Sequence, residues 1–171
     1  LTRVVKEFVR RGADMDLRDD EHHTPLCLAV RRCHIPLVSF LLKQYQARGE
    51  AELERALNHP FEKEGSRYSL LGHAGKSNCD PPELSVAMAR YLLKEWGADP
   101  WGPVTSSKHE TKSKLYLPVH QAALLGKHAM VRFFIEECDI PVDTVTPFAL
   151  ETPLHLACIC RENEEDEVLR I

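Results

Sequence analysis

Histidine and cysteine are the residues of this 171-residue chain best suited to chemistry, with nine His and six Cys, the latter at 27, 33, 79, 138, 158 and 160. Three groupings carry metal-ligand residue types: His22-His23, His73 with Cys79, and Cys158-Ile159-Cys160. A structural zinc site draws on paired ligands at C-x-x-C spacing, and none of these has it. Alternate residues of a helix point to different faces, so Cys158 and Cys160 do not chelate one ion there. Cys27 or Cys79 beside a His would supply the parts of a thiol nucleophile. Neither stands with an oxyanion-hole glycine motif or an ordering acid. Gly72-His73-Ala74-Gly75-Lys76-Ser77 has the residue types of a phosphate loop without the G-x-x-x-x-G-K-[ST] spacing. The sequence therefore predicts no catalytic residue, no metal and no cofactor.

Composition narrows the alternatives. With 43% hydrophobic and 28% charged residues, the chain has the balance of a globular domain. A net charge of -4 gives no field favouring nucleic acid, and Asp14, Asp16, Asp19, Asp20 and Glu21 make one segment locally acidic. No apolar run approaches the roughly 20 residues of a membrane span. The chain opens at Leu1 without a signal-like segment and ends at Glu167-Val168-Leu169-Arg170-Ile171, which predicts a piece of a larger protein. Cys27, Cys33 and Cys158 fall in apolar helical patterns, where Cys acts as a small buried hydrophobe. Spacings of that kind predict an intracellular, cytoplasmic or nuclear setting.

The elements that position these residues repeat. Thr24-Pro25-Leu26-Cys27-Leu28-Ala29 returns as Thr152-Pro153-Leu154-His155-Leu156-Ala157, and in altered form as Leu117-Pro118-Val119-His120-Gln121-Ala122-Ala123 and Ser69-Leu70-Leu71-Gly72-His73-Ala74. Thr suits an N-cap and Pro the first helical position, so each phrase opens a helix. A second apolar helical pattern follows each of the first three openings: Leu37 to Leu42, Val86 to Leu93, and Met130 to Ile135. Gly12-Ala13-Asp14 and Gly97-Ala98-Asp99 end two apolar helices. In the first of these, Val5 and Phe8 should face the next unit. The openings at 24, 69, 117 and 152 are 45, 48 and 35 residues apart. Extra residues are expected in loops, because a longer helix would turn its apolar face away. The segments 44–65 and 102–116 are such insertions, with Thr105 to Lys114 a polar surface loop.

This grammar resembles the ankyrin repeat, whose period is about 33 residues. The resemblance implies an all-α solenoid of stacked helix-turn-helix units with hairpin loops. It forms a single domain over 1–171, with a partial repeat at 1–18, repeats at about 19–65, 66–114 and 115–149, and a partial repeat at 150–171. It also implies that His120 and His155 serve the scaffold, and that the function is protein–protein interaction through the inner helices and hairpins, with a protein partner and no enzyme activity. By register, Leu28, Arg31, Arg32, Gln121, Leu124 and Ile159 are the candidate partner-binding residues on the inner helices, with Leu124 and Ile159 alternatively packing against neighbours. Trp101 and Phe148 are the candidates on the hairpins, each either an anchor or folded back onto the scaffold. The alternative function is a spacer or docking domain that positions a catalytic or channel region elsewhere in the parent protein.

Overall fold

The computed structural model describes residues 2–21, 23–58, 69–102, 104–106, 114–147 and 149–159. Within them lie α1 (Thr2–Arg10), α2 (Pro25–Arg31), α3 (Ile35–Arg48), α4 (Glu50–Asn58), α5 (Leu70–Gly75), α6 (Glu83–Trp96), β1 (Val104–Ser106), β2 (Lys114–Tyr116), α7 (Pro118–Leu124), α8 (His128–Glu136) and α9 (Pro153–Cys158). The fold is all-α apart from β1 and β2, which pair antiparallel with Val104 opposite Tyr116.

Each repeated phrase starts a short helix for a local reason. The Thr24 hydroxyl accepts from the Cys27 N–H at 3.3 Å, the Ser69 hydroxyl from Gly72 at 3.2 Å, and the Thr152 hydroxyl from His155 at 3.3 Å. Leu117 has no such acceptor. There His120 reaches back instead, and its Nδ1 accepts from the Leu117 N–H at 3.2 Å. The ends are equally regular. Gly12 and Gly126 take φ of 86° and 64°, the left-handed turn that closes a helix at low cost for glycine. Gly97 does the same after α6 at 68°, and Asp139 fills the matching place after α8 at 53°. In both Gly-Ala-Asp sequences the Asp then caps the next turn: Asp14 Oδ1 accepts from Asp16 and Asp99 Oδ1 from Trp101, each at 2.8 Å.

Three helix-turn-helix pairs result, α2 with α3, α5 with α6 and α7 with α8. The first helices also pack in chain order, α2 on α5, α5 on α7 and α7 on α9, while α6 packs on α8. One apolar core runs through the pairs and includes Leu26, Val30, Val38, Leu41, Leu71, Met88, Leu92, Val119, Met130 and Phe134. A small second cluster joins Tyr116 and Leu156, with Leu124 against it.

Two expectations change. The first insertion is helical rather than a loop: α3 runs on to Arg48, Gly49 breaks it with φ 132°, and α4 follows. The longer helix keeps its face because Tyr45 falls one turn beyond Leu41 and is equally buried. Its hydroxyl donates to the Met15 carbonyl at 3.1 Å and lies 3.0 Å from Asp16 Oδ1, so the insertion fastens the first hairpin. In α1, Val5 and Val9 reach the core, but Phe8 stays 62% exposed, because the Val5–Val9 stripe alone meets the neighbouring helices. The second insertion is described only at its ends, where β1 and β2 pair; 107–113 lies outside the described residues, as do His59-Pro60 and Glu64-Gly65.

Leu92 is fully buried at the junction of the pairs, so Leu92→Ala should cost about 2–5 kcal/mol in denaturant unfolding. The exposed Arg90–Glu137 bidentate pair between α6 and α8 (2.5 and 2.9 Å) should contribute only roughly 0–1 kcal/mol. A Cβ at Gly75 in α5 would meet nothing within 4 Å, and Gly75→Ala should raise stability by roughly 0.5–1 kcal/mol.

Candidate interaction surface

The inner helices α2, α5, α7 and α9 share a register that fixes which side chains reach solvent. Four residues after each N-cap stand Leu28, His73, Gln121 and Leu156; seven after stand Arg31, Lys76, Leu124 and Ile159. Leu28 is 42% exposed, Ile159 58%, and Arg32 is exposed, while Arg31 is half-buried. Gln121 is a correction. It is 3% exposed, and its equivalents His73 and Leu156 are buried as well, so this register position reaches solvent only at Leu28 among the four helices. Leu124 packs on the Tyr116–Leu156 cluster, the scaffold reading of that residue. Phe148 lies outside the described residues.

Trp101 projects from the hairpin after α6 and is 47% exposed. Asp99 holds the turn, its carboxylate accepting from the Trp101 N–H and its carbonyl from the Gly102 N–H at 3.2 Å. Gly102 lets the turn pack closely here, since a Cβ would come 3.2 Å from the Asp99 carbonyl oxygen. Asn58, at the end of α4, accepts from the Asp99 N–H at 2.7 Å. The hairpin is thereby tied to the preceding unit.

A polar cluster fills the space between the first hairpin and α5. Asp19 Oδ1 accepts from the backbone of His23 at 2.7 Å and of Glu21 at 3.1 Å, and the His23 N–H above all holds its carboxyl below the ordinary range. Arg31 Nη1 lies 3.2 Å from His23 Nε2 and 3.8 Å from Glu21 Oε2. The guanidinium can only donate, so Nε2 is the acceptor and the proton rests on Nδ1, facing Glu21 at 3.4 Å and Asp19 at 3.7 Å. His23 meets His73 edge to face, ring centroids 5.4 Å apart. Burial, then the charge of Arg31, lowers the His23 pKa. His73 is more extreme. Burial, then the neighbouring charges of His23, Lys76 and Arg31, brings it down to about 3.

The thiol chemistry reads differently from the sequence expectation. Cys27 is buried as expected, and burial pushes its pKa up, the opposite of an activated nucleophile. Cys33 and Cys79 form a disulfide, and Cys158 is exposed; neither Cys33 nor Cys158 is a buried apolar filler. Cys158 lies on α9, the last described helix. Cys160 and His22 lie outside the described residues. Gly72 to Ser77 forms α5 and its cap, with the Gly72 N–H and the Ser77 hydroxyl used internally (Ser77 Oγ to the Ala74 carbonyl, 2.8 Å). Among the described residues no three His, Cys, Asp or Glu gather closely enough to hold a metal ion, and no helix is long and apolar enough to cross a membrane.

His120 acts within the scaffold. With Nδ1 accepting from Leu117, its Nε2–H donates to the Thr144 carbonyl at 3.1 Å, which ties the last hairpin to α7. His155 makes the same reach to its own N-cap, Thr152 N–H to Nδ1 at 3.3 Å. The His23–His73 contact and the Cys33–Cys79 bond escaped sequence reading. The only signal was register, which places His73 opposite the first hairpin once units two and three are aligned.

No protein-family model matches the chain, and no curated protein matches it.

Since His73 titrates near 3 when folded and near 6.5 when unfolded, the unfolded chain binds the extra proton between these values. Its contribution is intact above pH 6.5 and is lost as pH falls toward 3. Within that window His73→Leu should reduce the slope of unfolding free energy against pH by about 1.4 kcal/mol per unit, measured by urea unfolding at a series of pH values. An unchanged slope would contradict the burial of a neutral imidazole.

Proposed function

We propose that the chain is an ankyrin-repeat solenoid acting as a protein-interaction module within a larger intracellular protein. The observation carrying this reading is the succession of inner helices, each packed on the next, with a Thr or Ser cap starting α2, α5 and α9 and with α2, α5 and α7 each followed by a turn and an outer helix. Units of this kind leave an extended edge formed by inner helices and hairpin tips. On that edge Leu28 supplies an apolar contact beside the guanidinium groups of Arg31 and Arg32 and the Trp101 indole, and Arg and Trp are residue types enriched where binding energy concentrates at protein interfaces. Leu28 and Arg31 stand on α2 itself, and the hairpin bearing Trp101 is tied to α4 by Asn58, so the surface is organised before a partner arrives, which lowers the entropic cost of association. Cys27, Cys138 and Cys158 are free thiols, and the Cys33–Cys79 bond is compatible with an intracellular setting as an exchangeable one.

A second reading has its own support. Leu154 on α9 is 71% exposed, whereas its register equivalents Leu26, Leu71 and Val119 are buried. Val4 and Phe8 are bare on α1. Apolar faces at both ends suit a spacer or docking domain stacked between flanking parts of the parent protein.

Affinity capture with the wild-type chain, Arg31→Glu, Leu28→Asp and Trp101→Ala, read by quantitative mass spectrometry of source-cell lysate, separates the two. The interaction reading expects a specific protein whose recovery falls at least about tenfold, or roughly 1.4 kcal/mol, with unchanged circular dichroism. Recovery indifferent to all three substitutions, with binding only to the parent protein's own flanking segments, would favour the spacer.

A further inference from the structure

Cys33 and Cys79 belong to different helix pairs, 46 positions apart, and their bond spans a Cα–Cα distance of 6.6 Å. It joins the turn that closes α2 to the segment leading from α5 into α6. Cys33 stands in left-handed backbone, φ 51°, at the register position that Gly126 fills after α7. A β-carbon is disfavoured there, so Cys is a poor choice for the turn itself. Its sulfur is what the position contributes.

Three features separate this bond from a buried staple. Both cysteines are only half-buried, within reach of a small thiol or disulfide. Each sulfur has a polar neighbour in place for the opened form: the Arg31 carbonyl 3.4 Å from Cys79 Sγ, and the Ser77 and Ser85 hydroxyls 3.7 and 4.0 Å from Cys33 Sγ. The two hydroxyls are themselves in contact and placed by the Ala74 carbonyl. Lastly, the anchored segment is held at its ends by Ser77 and Ser85, but its middle lies open. Asn78, Asp80, Pro81 and Pro82 are exposed, and the side-chain tie at Asn78 is an exposed bond from Lys127 Nζ at 2.9 Å.

We propose that Cys33 and Cys79 are a reversible thiol–disulfide pair that clamps the α5–α6 segment to the α2 turn, with glutathione as the exchange partner. The clamp closes against the Arg31 backbone and does not rest on the interaction reading. In the closing direction one cysteine thiolate attacks a sulfur of glutathione disulfide, forming a mixed disulfide and expelling one glutathione thiolate. The other cysteine thiolate attacks the protein sulfur of that intermediate and expels the second. Two electrons pass from the cysteines to glutathione disulfide, and the two cysteine protons end on the two glutathione thiolates. Reduced glutathione runs the sequence in reverse.

The test equilibrates the whole chain over a series of reduced-to-oxidised glutathione ratios, traps the thiols by alkylation, and maps them by mass spectrometry. Amide hydrogen exchange is then compared between the two end states. Cys33 and Cys79 are expected to open and close together within the series while Cys27 and Cys138 stay alkylatable after unfolding. Exchange across residues 76–84 should slow at least about tenfold in the closed form. Cys33→Ser and Cys79→Ser should each show the open pattern in every buffer, and reduced wild type supplies the same comparison should either variant fold poorly. A bond that stays closed, or stays absent, at every ratio would overturn the proposal, as would identical exchange in the two forms. None of these readouts involves a partner, so their failure is distinct from failure of the interaction reading.

Discussion

The governing constraint is that the inner helices are too short to stand alone. Helices α5 and α9 have six residues each, and α2 and α7 seven. Isolated helices below about 12–15 residues are marginal in water because nucleation costs more than a few hydrogen bonds return. Their persistence depends on burying side chains against neighbours. Leu71, Ala74, Val119 and Ala122 have no exposure at all, and they lie on α5 and α7, the two inner helices flanked on both sides. At the ends of the row, Leu28 and Leu154 on α2 and α9 are left bare. On the same two helices Val30 and Leu156 are fully buried.

The hairpins depend on the same scaffold through polar contacts. The Tyr45 hydroxyl, the Asn58 amide and the His120 imidazole each leave a helix to bond hairpin backbone. All three residues are buried, where an unmade hydrogen bond is expensive, so each hairpin is held to one geometry. Trp101 owes its exposed place at a tip to that restraint, and Arg31 owes its orientation to Glu21 and His23 on the first hairpin.

Much of this could be read from residue types. Thr24-Pro25 and Thr152-Pro153 are caps whose chemistry is local, and Ser69 substitutes for Thr by the same hydroxyl. The Gly-Ala-Asp endings carry their mechanism in sequence, a left-handed glycine and then a carboxylate aimed at the next turn. What escaped reading was non-local. Polar residues 44–57 hid a helix because only Tyr45 and Leu57 among them are fully buried apolar residues, too few for a clear period. Register alone made Gln121 a surface candidate, yet it is buried on α7, which packs on both α5 and α9. Cys33 and Cys79 meet only after two units are stacked, and no spacing along the chain announces that contact.

The order of the inner helices is the claim on which the rest stands, and distances measure it directly. Nitroxide pairs can be attached through ketone-bearing unnatural side chains at Leu28 on α2 and at Lys76, Leu125 or Ile159 at the ends of α5, α7 and α9, leaving the cysteines untouched. With helices packing about 8–10 Å apart, electron–electron dipolar spectroscopy should give separations from α2 that increase by roughly that step at each successive helix. A separation from α2 to α9 as short as that from α2 to α5 would contradict the row.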